Sequence, residues 1–437
     1  MAKAIVFKEI SDKTPGYFAV LGLLAAVVAV GLAAAYAMET AGHHITGMTN
    51  RIVWGTPHVF AVFLIIAASG ALNAASISSV FGRSIYKPLT RFSGVMSIAL
   101  LLGGLSVLVL DLGRPDRLIV AMLNYNFKSI FAWNIFLYTG FMVVVAAYLW
   151  MMMERRMARF TKSVGMVAFL WRLALTTGTG SIFGFLVARQ AYDAAVMAPL
   201  FIAMSLSLGM AVFILVLFAI FWWSGQPIGS TIARRLGRLL GILIAVVLYF
   251  VAVQHLTNLY AAEHHGVERF ILVDGGSYTV AFWLFQVILG SVVPLFILFH
   301  PQAAKCWCMV MAAAALVVVG GFAQIYVIII GGQAYPLLMF PGMEVTSSFL
   351  DGGIAAYTPS LPEVLLGLSG GAIALAMITV AVKTLPILPM TLADADIDSH
   401  YQPPPELEPE PEPEAEAEDT PEDDPGGGGD AEEDKPA

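Results

Sequence analysis

The sequence predicts an all-α fold: a polytopic membrane helix bundle of about ten transmembrane helices, followed by a disordered acidic C-terminal tail. Three observations carry this reading. Of the 437 residues 58% are hydrophobic and 12% charged, at a mean hydropathy of +0.79, where a soluble protein is nearer half apolar and a quarter charged. Ten uncharged runs are long enough to cross a bilayer core about 30 Å thick, which takes about 20 residues of helix. The formal charge of −8 averages two unlike parts: from Asp394 onward lie 18 of the 31 acids and one of the 23 bases, so residues 1–393 carry +9. A basic, apolar body precedes an acidic tail, which excludes an ordinary soluble enzyme.

The runs fall at about 16–38, 54–77, 93–112, 129–152, 166–188, 195–223, 237–261, 277–299, 306–331 and 361–386. The first follows Lys3, Lys8 and Lys13 and ends near Ala33-Ala34-Ala35-Tyr36-Ala37, which resembles a signal-peptide cleavage site. Its apolar stretch exceeds the roughly 7–15 residues of such peptides, so a retained helix is favoured. Basic residues collect in alternate connections: Arg83, Lys87 and Arg91; Arg155, Arg156, Arg159 and Lys162; Arg234, Arg235 and Arg238; Lys305. The positive-inside rule then places both termini in the cytoplasm. The seventh connection (Glu263, Glu268, Arg269, Asp274) and the ninth (Glu344, Asp351) are acidic, while Arg114, Arg117 and Lys128 in the third oppose the trend on the outer face. From Pro403 the chain turns to Glu-Pro and Glu-Ala repeats and Gly426 to Gly429. Such a segment buries too little apolar surface to offset its ordering entropy and reads as a solvated cytoplasmic spacer over 393–437.

Several chemistries are excluded or disfavoured. Two cysteines, Cys306 and Cys308, are too few for a disulfide framework or a Cys-ligated iron–sulfur cluster. No nucleotide-binding glycine loop, Ser-His-Asp arrangement or HExxH helix is present. Gly180 and Gly184 read as close helix packing.

Ionisable groups within spans are costly, so each is a functional candidate. Asp111 ends the third run in Leu110-Asp111-Leu112-Gly113-Arg114-Pro115-Asp116-Arg117. Gly113 permits a helix-terminating turn and Pro115 prevents continuation. The cluster reads either as ion pairs fastening the third loop or as a proton-accepting carboxylate tuned by a nearby cation. The second run opens Trp54-Gly55-Thr56-Pro57-His58; Pro57 suits a first helical turn and sets His58 just inside the outer face. The fourth opens Lys128-Ser129-Ile130-Phe131-Ala132-Trp133-Asn134, bringing a cation, a hydroxyl, an indole and an amide to the same face. The fifth carries Thr176, Thr177, Thr179 and Ser181 and exits at Arg189-Gln190-Ala191-Tyr192-Asp193, where Arg189 and Asp193 form either a pair or part of the same pocket. His255 lies near the outer end of the seventh, before Tyr260, His264 and His265.

The Trp-Gly-x-Pro-His opening, the Leu-Asp-Leu-Gly-Arg-Pro segment and the Ser-x-x-x-Trp start of the fourth run resemble the NrfD/PsrC family of quinone-interacting membrane subunits. The ten-span layout, Phe183 to Asp193 and Ile330-Gly331-Gly332-Gln333-Ala334-Tyr335-Pro336 are most similar to the DsrP type, from the DsrMKJOP complex of sulfur metabolism. The resemblance covers about residues 1–392. It implies a multi-pass subunit of the bacterial cytoplasmic (inner) membrane, either non-catalytic or a quinol oxidoreductase within a multisubunit enzyme. Menaquinone or another quinone would be its substrate, with no bound redox cofactor of its own. Electrons would pass between the quinone pool and a periplasmic, DsrO-like iron–sulfur subunit in dissimilatory sulfite metabolism, with DsrM-, DsrK- and DsrJ-like partners.

By the same resemblance Asp111 matches the family's acidic position, His58 lies on the helix that supplies the quinone-site histidine, and Ser129 and Trp133 match the next helix start. Where some relatives carry a quinone-bonding tyrosine, this chain offers Thr176, Thr177 or Thr179. The expected site has His58 on one quinone oxygen and Asp111 exchanging a proton. Arg114 or Lys128 keeps Asp111 ionised, and Ser129, Trp133, Asn134 and Thr177 complete the wall. Two further readings are a haem b subunit with His58 and His255 as axial ligands, and an ion- or proton-translocating transporter. Against the latter, Arg172 is the deepest clear charge.

Overall fold

The computed structural model describes residues 7–9, 15–336 and 352–394. Glu344 and Asp351 of the ninth connection, and the tail from residue 395 on, lie outside the described residues. Ten helices have the length and hydropathy to cross a membrane: α1 (Pro15–Ala41), α2 (Thr56–Ser79), α3 (Ser84–Leu110), α4 (Ile130–Met153), α5 (Arg155–Gly184), α6 (Met197–Trp223), α7 (Ser230–Tyr260), α8 (Ser277–Phe299), α9 (Trp307–Ala334) and α10 (Leu361–Thr384). All ten expected runs are found. Helices α3, α5 and α7 begin earlier than their apolar runs because hydropathy marks only the lipid-facing length. A helix continues into the interface, where Arg155 or Arg234 keeps its charge in water and its stem along the apolar surface.

Helices α2 to α5 form one packed group and α6 to α9 a second, joined where α2 and α5 meet α6 and where α2 meets α9; α10 packs on α3 and α2, and α1 packs on α10. Helix α2 is the most buried and α1 the least, so α2 is the natural place for a side chain that must be shielded from lipid. The odd-numbered connections share one end of the bundle, here the site end, and are tied across it: Arg189 donates to Arg51 O at 2.9 Å, and Thr56 N to Tyr357 Oη at 2.7 Å. The basic even-numbered connections share the opposite end. There Arg91 donates to Pro386 O and Met152 O, and Phe7–Lys8 pairs with Leu388–Pro389 in a short antiparallel ladder, so both ends of the described body meet.

Asp394 belongs to this body as well. Its carboxylate accepts from Ser230 N, Ser230 Oγ and Thr231 N at the start of α7, satisfying donors that a helix N-terminus leaves open. Arg172, 3% exposed on α5, donates to Asn73 Oδ1 at 2.8 Å and Ser69 O at 3.2 Å on α2. It is thus a tie between helices held by neutral acceptors.

Candidate functional site

The site grows from two helix ends on the same side of the first group. Gly55 precedes α2, and Pro57 fits its first turn as expected, since no intrahelical acceptor is lost there. Gly55 must be small: a Cβ there would lie 2.3 Å from Glu363 Oε1 and 2.9 Å from Tyr357 Oη. His58, one turn in, points at Asp111, the residue that closes α3. Gly113 turns the chain away at φ +68°, a left-handed conformation that L side chains resist, with His43 packed beside it.

His58 Nδ1 lies 3.5 Å from Asp111 Oδ2, at the outer limit of a hydrogen bond, with side chains 19% and 5% exposed. Asp111 Oδ1 is buried and has no hydrogen-bond partner among the described residues. A shielded carboxylate with one loosely held oxygen and one orphan is costly unless something completes it. Around the imidazole stands an aromatic wall. Trp54 stacks on His58 (centroids 5.5 Å apart, planes 11° apart) and meets Phe131, Phe183 and Tyr192 at 6.1, 5.8 and 6.2 Å.

The remaining expected residues divide. Asn134 is buried but structural in its contacts: Nδ2 donates to Ile130 O and to Gly178 O on α5, and Oδ1 accepts from Thr179. Ser129 caps α4 by position and is half-buried. The Trp133 indole is exposed and donates to Phe127 O; Lys128 is exposed. Thr177 is exposed and bonds back to Leu173 O, as a membrane threonine does when nothing else claims it. Arg114 reaches Asp116, at 3.1 and 3.2 Å, in an exposed pair, so its contact is with that carboxylate and not with Asp111. The Arg114 hydrogen bond holds the Asp116 carboxyl below the usual range. The pair's contribution is therefore present at neutral pH and lost as pH falls through that lowered value. Arg114→Ala is expected to return Asp116 to an ordinary carboxylate titration, read by carboxyl NMR, with at most a small fall in unfolding temperature at neutral pH, because an exposed pair contributes little.

Two groups escaped sequence reasoning. Gln333, 2% exposed near the end of α9, clamps the turn before α2: Oε1 accepts from Val53 N and Trp54 N at 3.0 Å, and Nε2 donates to Trp54 O at 3.0 Å and Ile329 O at 2.8 Å. Arg189 donates to Gln333 O and Arg51 O, which answers what its charge is for; no Arg189–Asp193 ion pair occurs among the described residues. Glu363, fully buried in the first turn of α10, accepts from Tyr357 Oη, Gly47 N and Ser360 N. Its Ser360-x-x-Glu363 spacing is a capping-box signal in the sequence, whereas nothing local reveals Gln333.

The sequence profile of the polysulphide reductase NrfD family matches residues 44–336, which include every residue of the His58–Asp111 constellation. The chain belongs to the NrfD family. The protein is accordingly an integral, multi-pass membrane member of it. Among its relatives are the Hdr-like menaquinol oxidoreductase integral membrane subunit of Archaeoglobus fulgidus, 29% identical over 88% of this chain and 97% of the relative, and a putative dimethyl sulfoxide reductase membrane subunit of Halobacterium salinarum, 26% identical over 84% and 91%. A third is a selenate reductase subunit of Mesobacillus selenatarsenatis, 24% identical over 83% and 92%. Helices α1 and α10 lie outside the NrfD match, yet Glu363 and Tyr357 brace the α2 turn from α10 and the segment before it.

Proposed function

We propose that the protein is the quinone-binding membrane subunit of an oxidoreductase complex, taking electrons from or giving them to menaquinone at the His58–Asp111 site. The observation that carries this is the orphan, buried Asp111 Oδ1 beside a histidine that offers Nε2 on its other side. An apolar wall with two convergent polar groups suits a hydrophobic ligand whose ring bears oxygens. The relatives named for menaquinol oxidation and for reductase membrane subunits support the same reading.

In quinol oxidation the ring releases two electrons and two protons. Asp111 Oδ1 accepts one proton and His58 Nε2 the other, and the electrons leave to the partner's iron–sulfur centre. With the positive-inside rule the basic end is cytoplasmic, so the site end and the docked iron–sulfur partner face outward. The DsrP-like segments support a complex of sulfur metabolism, with DsrO-, DsrM-, DsrK- and DsrJ-like subunits as partners.

Titrating the purified protein with a soluble naphthoquinone analogue tests the site. Saturable quenching of tryptophan fluorescence is expected, because Trp54 lies against it, with affinity about tenfold weaker in His58→Ala, the loss of about one hydrogen bond. Quenching that fails to saturate, or that is identical in His58→Ala, removes the site.

A further inference from the structure

The second helix group holds a buried acid–base pair that the quinone reading does not use. Glu268, fully buried between α7 and α8, sets Oε2 2.6 Å from His255 Nδ1 and accepts from Asn258 Nδ2 on Oε1 at 2.8 Å. Phe282 covers the imidazole edge-on at 4.8 Å. The neighbouring histidines and the arginine of the same connection are engaged elsewhere. His264 lies against Gln190 O and Glu263, His265 on Leu259 O, and Arg269 pairs with Asp274.

One small cavity adjoins His255, and a second shares part of its wall. One, of about 30 Å³, is lined by Gln254, His255, Gln286 and Gln324; the next, of about 20 Å³, by Gln286, Gln324, Ser207 and Ser291. Gln286 and Gln324 therefore line both. Each cavity has room for one or two waters and enough polar wall to hold them. The walls also need them: among the described residues Gln324 Nε2 is buried without a partner, and Gln254 Nε2 finds only Met197 Sδ, at 3.8 Å, a weak acceptor. Ile244, which lines the deeper cavity, lies 11 residues before His255 on α7, about 16 Å of helical rise, so the file reaches towards mid-depth. Its walls are irregular helix. Ala281–Val292 within α8 and Val327–Gly331 within α9 are π-helical, a geometry that frees backbone positions and recurs at functional sites.

We propose that Glu268 and His255 form a proton-binding site served by a file of internal water, separate from the His58–Asp111 site. A hydrated excess proton in the cavity passes to imidazole Nε2, leaving a neutral water, and the Nδ1 proton is then shared with Glu268 Oε2 across their contact; release reverses these steps. Only N–H and O–H bonds change, so no oxidant or reductant is involved.

The test uses the full-length protein in lipid nanodiscs. Infrared spectra recorded against pH should show, in the wild type minus Glu268→Gln difference, one carboxyl band that titrates. After a pH jump, uptake of that proton should be at least tenfold slower in Gln324→Leu, which fills the junction of the cavities, with the equilibrium titration preserved. A structural tie would not give that rate difference. An unchanged uptake rate in Gln324→Leu overturns the proposal, as does a spectrum in which Glu268→Gln and wild type titrate alike. If Glu268→Gln does not fold, Glu268→Asp assigns the band by its shift, and a band that neither shifts nor titrates is equally fatal.

Discussion

Asp111→Asn is expected to slow quinol-linked electron transfer by about 10²–10³-fold, the usual worth of a positioned proton acceptor, while quinone affinity changes by no more than a few-fold. Asparagine keeps the volume of the side chain and a carbonyl oxygen that can accept a hydrogen bond, so the ground-state contact survives. What it loses is the ability to take the proton that must leave the quinol as its electrons do. The neighbouring carboxylates are engaged: Glu363 accepts from Tyr357 Oη, Gly47 N and Ser360 N, and the exposed Asp116 is held by Arg114. Steady-state oxidation of a menaquinol analogue by the assembled complex gives the rate, and the fluorescence titration gives affinity. A rate within threefold of wild type would move proton acceptance to another group.

Gln333→Leu should be the most damaging substitution among residues that touch neither His58 nor Asp111. Leucine fills similar space but satisfies none of the four backbone groups that Gln333 serves, Val53 N, Trp54 N, Trp54 O and Ile329 O. Each stranded group costs about 1–3 kcal/mol; Ile329 O retains Tyr192 Oη at 2.6 Å, so about 3–9 kcal/mol is expected from the other three. The turn that holds Trp54 against His58 loosens with it. Thermal unfolding in detergent should fall by several degrees, and saturable quinone binding should weaken together with it. Gln333→Glu separates the parts: it keeps an acceptor for Val53 N and Trp54 N but has no donor for Trp54 O, so an intermediate loss is expected.

Ten spans, their order and the pairing of the basic connections were legible because a bilayer imposes one length and one polarity on every crossing segment. Asp111 and His58 stood out for the same reason, since charge inside such a segment has to be explained. Gly113 and Pro115 marked the end of α3 by backbone geometry alone. Partners were not legible. Arg114 and Lys128 sit close to Asp111 along the chain, but an exposed arginine takes the nearest flexible carboxylate, and Asp116 is two residues away. Thr177 and Asn134 looked equivalent as polar residues in apolar runs; one faces outward and the other binds two helices, a difference of helical phase that single polar residues do not reveal. Glu268 read as an acid of a soluble loop, although it is fully buried, because nothing nearby in the sequence announces His255 and Asn258 as its partners.

Hydropathy and charge distribution by themselves determined that this chain is a ten-helix membrane bundle with its informative charges near the α3 terminus. Those properties are set residue by residue, through transfer into lipid and the cost of burying charge. Tertiary structure alone decided that Asp111 keeps an unpartnered oxygen, that Gln333 holds Trp54 over His58 from 279 residues away, and that a second acid–base pair lies beside internal cavities. Each of these depends on which side chains converge within hydrogen-bond reach, and convergence across a bundle is a property of helix packing that no local stretch of sequence contains.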